Sequence, residues 1–174
     1  MKPSSVPPFS ELIAGCRRSA VHLELRDSYG IASEDADFAE WRELGEISPA
    51  SVERRRDWLD LVREATARGV VMRRARIVSV PVSEYIRYEH AGTHLNVGAG
   101  ELIRWLPRPE AATLALPGAD FWLFDDRLIR FGHFAGDGEF VSHELNEAPE
   151  VVKLCADAFE SVWERATSHE RFMV

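Results

Sequence analysis

Lysine is nearly missing from this chain: of 21 basic residues in 174, only Lys2 and Lys153 are lysine, and the other 19 are arginine. Arginine suits planar pairing with carboxylate or phosphate, and GC-rich coding accounts for the same bias. An excess of positive charge is also lacking. The formal net charge is -8, so a surface holding nucleic acid by counterion release is not expected. Cysteine is scarce, with Cys16 and Cys155 far apart and no CxxC pair, which argues against a disulfide framework or a cysteine zinc site. No stretch approaches the ~18 apolar residues of a membrane span, and MKPSSVPPFS lacks the apolar run of a signal peptide. The expectation is a cytoplasmic protein without membrane contact.

What is present is an ordinary globular composition, 45% hydrophobic and 29% charged. It predicts one α/β domain over residues 9–174 behind a flexible tail at residues 1–8. Ser10 is placed to cap a short helix to about Cys16, and residues 20–25 alternate as a strand with Val21, Leu23 and Leu25 inward. Ser33 is placed to cap a helix carrying Phe38 and Trp41. Ser48 followed by Pro49 is a strong helix start, and Trp58, Leu61, Val62 and Ala65 form its apolar stripe up to Gly69. The charged run Glu53 to Asp57 reads as a solvated face in preference to a binding patch.

Residues 70–78 predict a strand whose middle holds Arg73, Arg74 and Arg76. Alternation puts Arg74 and Arg76 on one face and Arg73 on the other. A guanidinium over a sheet needs an anion, either a carboxylate of the chain or a ligand group; the surplus of acids favours the first. Ser83 is placed to cap a helix containing Tyr85, Tyr88, Glu89 and His90. His94 follows His90 at metal-chelating spacing, but there is no HExxH and no third ligand nearby, so no metal or cofactor is expected. Residues 96–100 read as a loop, and their GxG lacks a GxGxxG or Walker context. A strand over residues 102–106, a connecting loop and a final amphipathic helix after Asn146 complete the pattern, that helix carrying Val152, Cys155, Phe159, Val162 and Ala166 inward with Trp163 beside them.

The stretch from Asp120 to Glu144 carries Trp122, paired acids, Arg127 and two histidines around a Gly136-Asp137-Gly138 turn. Asp125 and Asp126 suit turn or strand-end hydrogen bonds. His133 and His143 fall on paired strands where they can approach each other.

Four segments, Arg17 to Glu24, Glu89-His90, Arg104 to Arg108 and Phe121 to Arg127, together with Phe159 to Ala166, resemble an uncharacterised actinobacterial domain-of-unknown-function family, over nearly the whole chain. That resemblance implies a setting near helix-turn-helix regulators and small companion proteins. The last third also resembles the phospholipase D-like fold. The HxKx4D motif of that fold supplies a His as nucleophile or acid and a Lys for the phosphate. This chain has no HxK, and placing Asp125 or Asp126 on the motif aspartate puts neither His nor Lys at the other positions.

The resulting expectation is a mixed β-sheet of five or six strands with packed helices, phospholipase D-like in outline. Functionally it is a non-enzymatic, dimeric regulatory or ligand-sensing protein that partners a helix-turn-helix regulator. Its expected pocket takes a small polar or anionic ligand with Arg74, Arg76, Tyr85, Tyr88, Glu89, His90, Trp122, Asp125, Arg127 and His133 as candidate contacts. The alternative is a small-molecule hydrolase or phosphotransferase with His90 or His133 as base and an Arg anion site. A third is an interaction module exposing Trp41, Trp105 or Trp163.

Overall fold

The computed structural model describes residues 6–174; residues 1–5 of the expected tail lie outside the described residues, and residues 6–8 carry no helix or strand. The elements run α1 (Phe9–Gly15), β1 (Ser19–Glu24), α2 (Asp35–Leu44), α3 (Pro49–Arg54), α4 (Arg56–Ala67), β2 (Val71–Val78), α5 (Glu84–Gly98) and β3 (Leu102–Pro107). They continue with α6 (Arg108–Ala111), β4 (Asp120–Phe124), β5 (Leu128–Phe134), β6 (Phe140–Asn146), α7 (Pro149–Arg165) and β7 (Thr167–Ser168). Among the described residues the strands form one seven-stranded sheet in the order β6-β5-β4-β1-β2-β3-β7.

β1, β2 and β3 are parallel, and the remaining pairings are antiparallel. Both parallel connections step in the same direction across the sheet, so the right-handed crossover rule puts their helices on the same face. Accordingly Leu59, Val62 and Ala65 of α4 pack on Ala20 and Met72, with Ile13 of α1. Tyr85, Ile86 and Tyr88 of α5 pack on Ile103 and Trp105, with Phe38 and Trp41 of α2 against them. On the opposite face α7 sets Cys155, Phe159 and Val162 against Val21, Leu23, Ala75, Ile77 and Phe121. The expected stripe of this helix is therefore the one that covers the sheet.

Local cap signals account for the starts of α3 and α5. Ser48 and Ser83 accept hydrogen bonds from the N–H groups of Ser51 and Ile86, as N-caps do. Other boundaries correct the sequence reading. The helix begun at Pro49 is two helices, α3 and α4. Ser33 is not the cap of α2, which starts after Glu34 without a side-chain cap. Residues 96–98 are helical rather than loop, because α5 passes through Gly92 without a break: a Cβ there would lie 2.6 Å from Arg55 Nη1, whose guanidinium fills that space. Arg55 Nη2 in turn donates to the Tyr88 hydroxyl at 2.6 Å.

The aromatic-rich hairpin is a three-stranded meander with two turns. Asp125 and Asp126 both take left-handed φ, 53° and 52°, between β4 and β5; acidic residues tolerate that region, and tight hairpins require it. The Asp125 carboxylate accepts from the backbone N–H groups of Arg17, Arg18 and Ser19 at 2.9, 2.7 and 3.0 Å. Burial pushes this carboxyl up, but those N–H groups and the Cys16 thiol overcome it and hold it at about 2. Asp125 thus ties the turn to the start of β1. Trp105 is fully buried, so it forms no exposed patch.

Candidate functional site

Strand register converts alternation into two polar rows across the face under α4 and α5. His22 lies opposite Arg74 on one side and Trp122 on the other, and Trp122 lies opposite Arg130. One step further along, Glu24 lies opposite Arg76, while Asp120 lies opposite Gly132 and Gly132 opposite His143. The row before them, Met72, Ala20 and Phe124, is apolar. The polar rows stand toward the C-terminal ends of parallel β1 and β2, where open α/β sheets form ligand crevices. A cavity of about 830 Å³ lies over them. Trp58 of α4, Tyr85 and Glu89 of α5, residues 29–34, and Phe134 and Phe140 of the meander wall it.

Most charge on this face is already neutralised. Arg74 Nη1 and Nε meet Glu24 and Glu101 at 2.8 and 2.7 Å, and Asn96 Nδ2 donates to the second Glu101 oxygen at 2.8 Å. Arg76 Nη2 meets Glu89 at 2.7 Å. Its Nε lies 2.7 Å from Glu24 Oε2 but off the line of its N–H, an ion contact without a hydrogen bond. Burial pulls both guanidinium groups down, and the surrounding carboxylates more than offset it. Internal pairing is thus the state of both arginines. His22 stacks on Trp122 with ring centroids 4.3 Å apart, and its Nδ1 stands 3.4 Å from Glu24. Burial, then Arg74, Arg76 and Arg130, hold it well below the ordinary histidine range, so it is neutral.

Arg130 differs. Its half-buried guanidinium lines the cavity, and no carboxylate among the described residues lies within ion-pair distance of it. Its Nη2 donates to His143 Nδ1 at 3.1 Å. Burial, followed by Arg130 and His133, lowers the His143 pKa to about 4, leaving a neutral ring that accepts this bond. Burial depresses Arg130 itself, with no acid to oppose it.

The complementary imbalance lies at Asp120 and Glu34, neither of which has a basic partner within ion-pair distance among the described residues. Asp120 accepts from Leu25 N–H at 3.0 Å and from the Tyr29 hydroxyl, and burial with Glu24 nearby raises it to about 6 despite Tyr29, Leu25 and Arg26. Glu34 accepts from the Tyr85 hydroxyl at 2.8 Å; burial and then Glu89 raise it to about 7. A carboxyl raised in the folded state contributes stability that is present below its unfolded pKa and lost as pH rises through its folded pKa. Asp120 therefore costs roughly 3 kcal/mol between pH 4 and 7. In Asp120→Asn this loss is absent because an amide does not titrate; its oxygen keeps the bond from Leu25 N–H, and its amino group takes the other oxygen's place and donates to the Tyr29 hydroxyl. Melting temperatures from pH 4 to 8 are expected to fall less steeply for the variant; parallel curves would refute the assignment.

Of the candidates expected from sequence, Arg74, Arg76, Tyr85, Glu89 and Trp122 meet in this cavity. The helix and the meander thus face one cleft. The other candidates stand elsewhere. Tyr88 is buried among Phe38, Trp41 and Arg55. His90 Nε2 meets Phe172 O at 3.0 Å beside Trp105, and Asp125 braces β1. Arg127 pairs with Glu147 on the surface. His133 pairs with Glu144 at 3.0 Å on the α7 side. His133 lies opposite Ser142 and Gly132 opposite His143, so the two histidines occupy opposite faces instead of approaching as a pair. Sequence reasoning missed His22, Glu24, Asp120, Arg130 and His143. Polar residues alternating with Val21, Leu23, Ile129 and Phe131 were the available signal.

A family model described as a domain of unknown function, DUF6879, matches residues 7–174. Among curated proteins none matches. Of solved structures, TrmBL2, an archaeal chromatin protein described with a novel mode of DNA binding, aligns over 91% of this chain and 49% of its own at 12% identity and TM-score 0.50. The chain thus spans about half the length of that protein. NucT from Helicobacter pylori aligns over 92% of this chain and 87% of its own at 9% identity and TM-score 0.51. Nuc from Salmonella typhimurium, a phospholipase D family member, aligns over 91% and 86% at 12% identity and TM-score 0.49. The mixed sheet with packed helices expected from sequence is the fold of this chain; it is shared with NucT, and at such identity the likeness is one of fold alone. No helix of the described residues is long and apolar enough to cross a membrane.

Proposed function

The chain belongs to the DUF6879 family of domains of unknown function, and we propose that within it this protein is a single-domain, non-enzymatic sensor of a small polar ligand carrying an anionic group. The observation that supports this reading is Arg130. In a cavity where Arg74 and Arg76 are each held by two carboxylates, one guanidinium faces the space with only a neutral imidazole as partner. A ligand anion supplies the missing charge, and charge-assisted hydrogen bonds of that kind are the strong ones. The same reading takes the domain to be a cytoplasmic dimer that reports occupancy to a helix-turn-helix regulator. With a net charge of -8 it does so without holding DNA itself.

Benzoate tests the anion site. At about ten times its dissociation constant it raises the melting temperature by roughly 3–6 °C, and Arg130→Met abolishes the rise. No shift, or an equal shift in the variant, overturns the reading. The regulator is tested by co-purification at low salt, where failure to form a complex removes that partner.

One observation favours a second reading. His22, a neutral ring in the cavity whose Nδ1 stands 3.4 Å from Glu24 without a hydrogen bond to it, is the imidazole there available as a general base. This moves the expected base of a hydrolase or phosphotransferase from His90 or His133 to His22. Turnover of phosphate esters that disappears in His22→Ala, with binding retained, would establish this reading in place of the first.

A further inference from the structure

The cavity is bipolar. Arg130 stands in one polar row and Asp120 in the next; Asp120 lies opposite Gly132, two residues beyond Arg130, so roughly 7 Å of strand separates the two levels. Gly132 has no side chain, and the edge of the Phe134 ring covers it between Asp120 and His143, 3.3 Å from where a Cβ would stand. Glu34, held by the Tyr85 hydroxyl, lines the same space. The rings of Trp122, Trp58, Tyr29 and Phe134 line the same cavity. A ligand with negative charge alone meets Arg130 but also faces two carboxyls without a cation. A ligand with positive charge alone leaves Arg130 uncompensated.

We propose that this cavity takes a small zwitterion with an apolar body, an amino-acid-like molecule whose carboxylate meets Arg130 and whose ammonium meets Asp120 and Glu34. This deepens the sensor reading above and rests on it. The raised carboxyls support the assignment, since a nearby ammonium supplies the partner that each lacks. Each Asp120 oxygen accepts one bond, from Leu25 N–H and from the Tyr29 hydroxyl, and so keeps one acceptor site, while Glu34 accepts from the Tyr85 hydroxyl through one oxygen; both carboxyls retain capacity for such a donor. Dianionic phosphate esters are disfavoured here because like charges close together in a partly dry cavity repel strongly.

Calorimetric titration with three probes that share a phenyl ring and differ only in charge tests the class: L-phenylalanine, 3-phenylpropionate and phenethylamine. L-Phenylalanine is expected to bind at least about tenfold more tightly than either analogue, the effect of one charged hydrogen bond. Arg130→Met reduces its affinity to that of phenethylamine, and Asp120→Asn to that of 3-phenylpropionate. If 3-phenylpropionate binds as tightly as L-phenylalanine and still depends on Arg130, the zwitterion is overturned while the anion site stands. If none of the three binds but benzoate does, the zwitterion is again overturned. If benzoate fails as well, both readings fall together.

Discussion

Glu24→Ala is expected to destabilise the protein by about 3–5 kcal/mol, the cost of removing one partner from a buried ion pair. Glu24 is the shared anion of the sheet face, in contact with Arg74, Arg76 and, through its first oxygen, His22. Without it Arg74 keeps only Glu101 and Arg76 only Glu89, and two buried cations two residues apart on β2 repel with less to hold them. For a chain of this length the loss corresponds to a melting temperature roughly 6–20 °C lower. The double variant Glu24→Ala with Arg76→Met is expected to recover part of the loss, since removing both members of a buried pair costs less than removing one. Urea denaturation of the four members of the cycle measures it. A single-mutant loss under about 1 kcal/mol would mean that water reaches this cluster, because exposed pairs contribute that little.

Trp105→Ala is expected to cost about 3–5 kcal/mol by leaving a large cavity. The indole is completely buried on β3, stacked on Phe172 with centroids 5.5 Å apart and planes 7° apart. The Arg76 guanidinium carbon lies 4.9 Å from its ring centroid. Its N–H points to His169 Nδ1 at 3.3 Å. The substitution therefore removes both the packing under Arg76 and the anchor of the last residues of the chain. Trp105→Phe keeps the stack and is expected to lose less. Amide exchange supplies the second readout: the Phe172 N–H, bonded to Ser168 O at 3.0 Å, loses protection in Trp105→Ala. Retained protection with full stability would show that this segment is held by other contacts.

The parts of this architecture that were readable in the chain are those governed by local periodicity. Arg74 and Arg76 sharing a face follows from the period of two along a strand, and the starts at Ser48 and Ser83 follow from cap chemistry. The stripe of α7 was equally plain. What escaped depends on partners distant in sequence. Gly92 looks like a helix breaker until Arg55, 37 positions earlier, is seen to need the space. Ser33 has the chemistry of a cap, yet the helix begins one residue later without one. Asp125 and Asp126 suit a turn or strand-end hydrogen bonds alike, and beside the stronger Gly136-Asp137-Gly138 signal this leaves the alternation bringing Arg130 to the cavity unmarked. His22 is a lone histidine in an apolar strand, and only pairing with β2 and β4 shows what surrounds it.

Alternation along β1 serves two incompatible environments. Val21 and Leu23 lie under α7 in dry packing, while His22 and Glu24 face the charged cavity. A slip of one position would drive an imidazole and a carboxylate beneath α7 and leave Arg74 and Arg76 facing valine and leucine. Neither side tolerates the exchange, so the frame of the central strand is locked from above and below at once. The charges that line the cavity thus also serve the chain as a proofreading device for strand register.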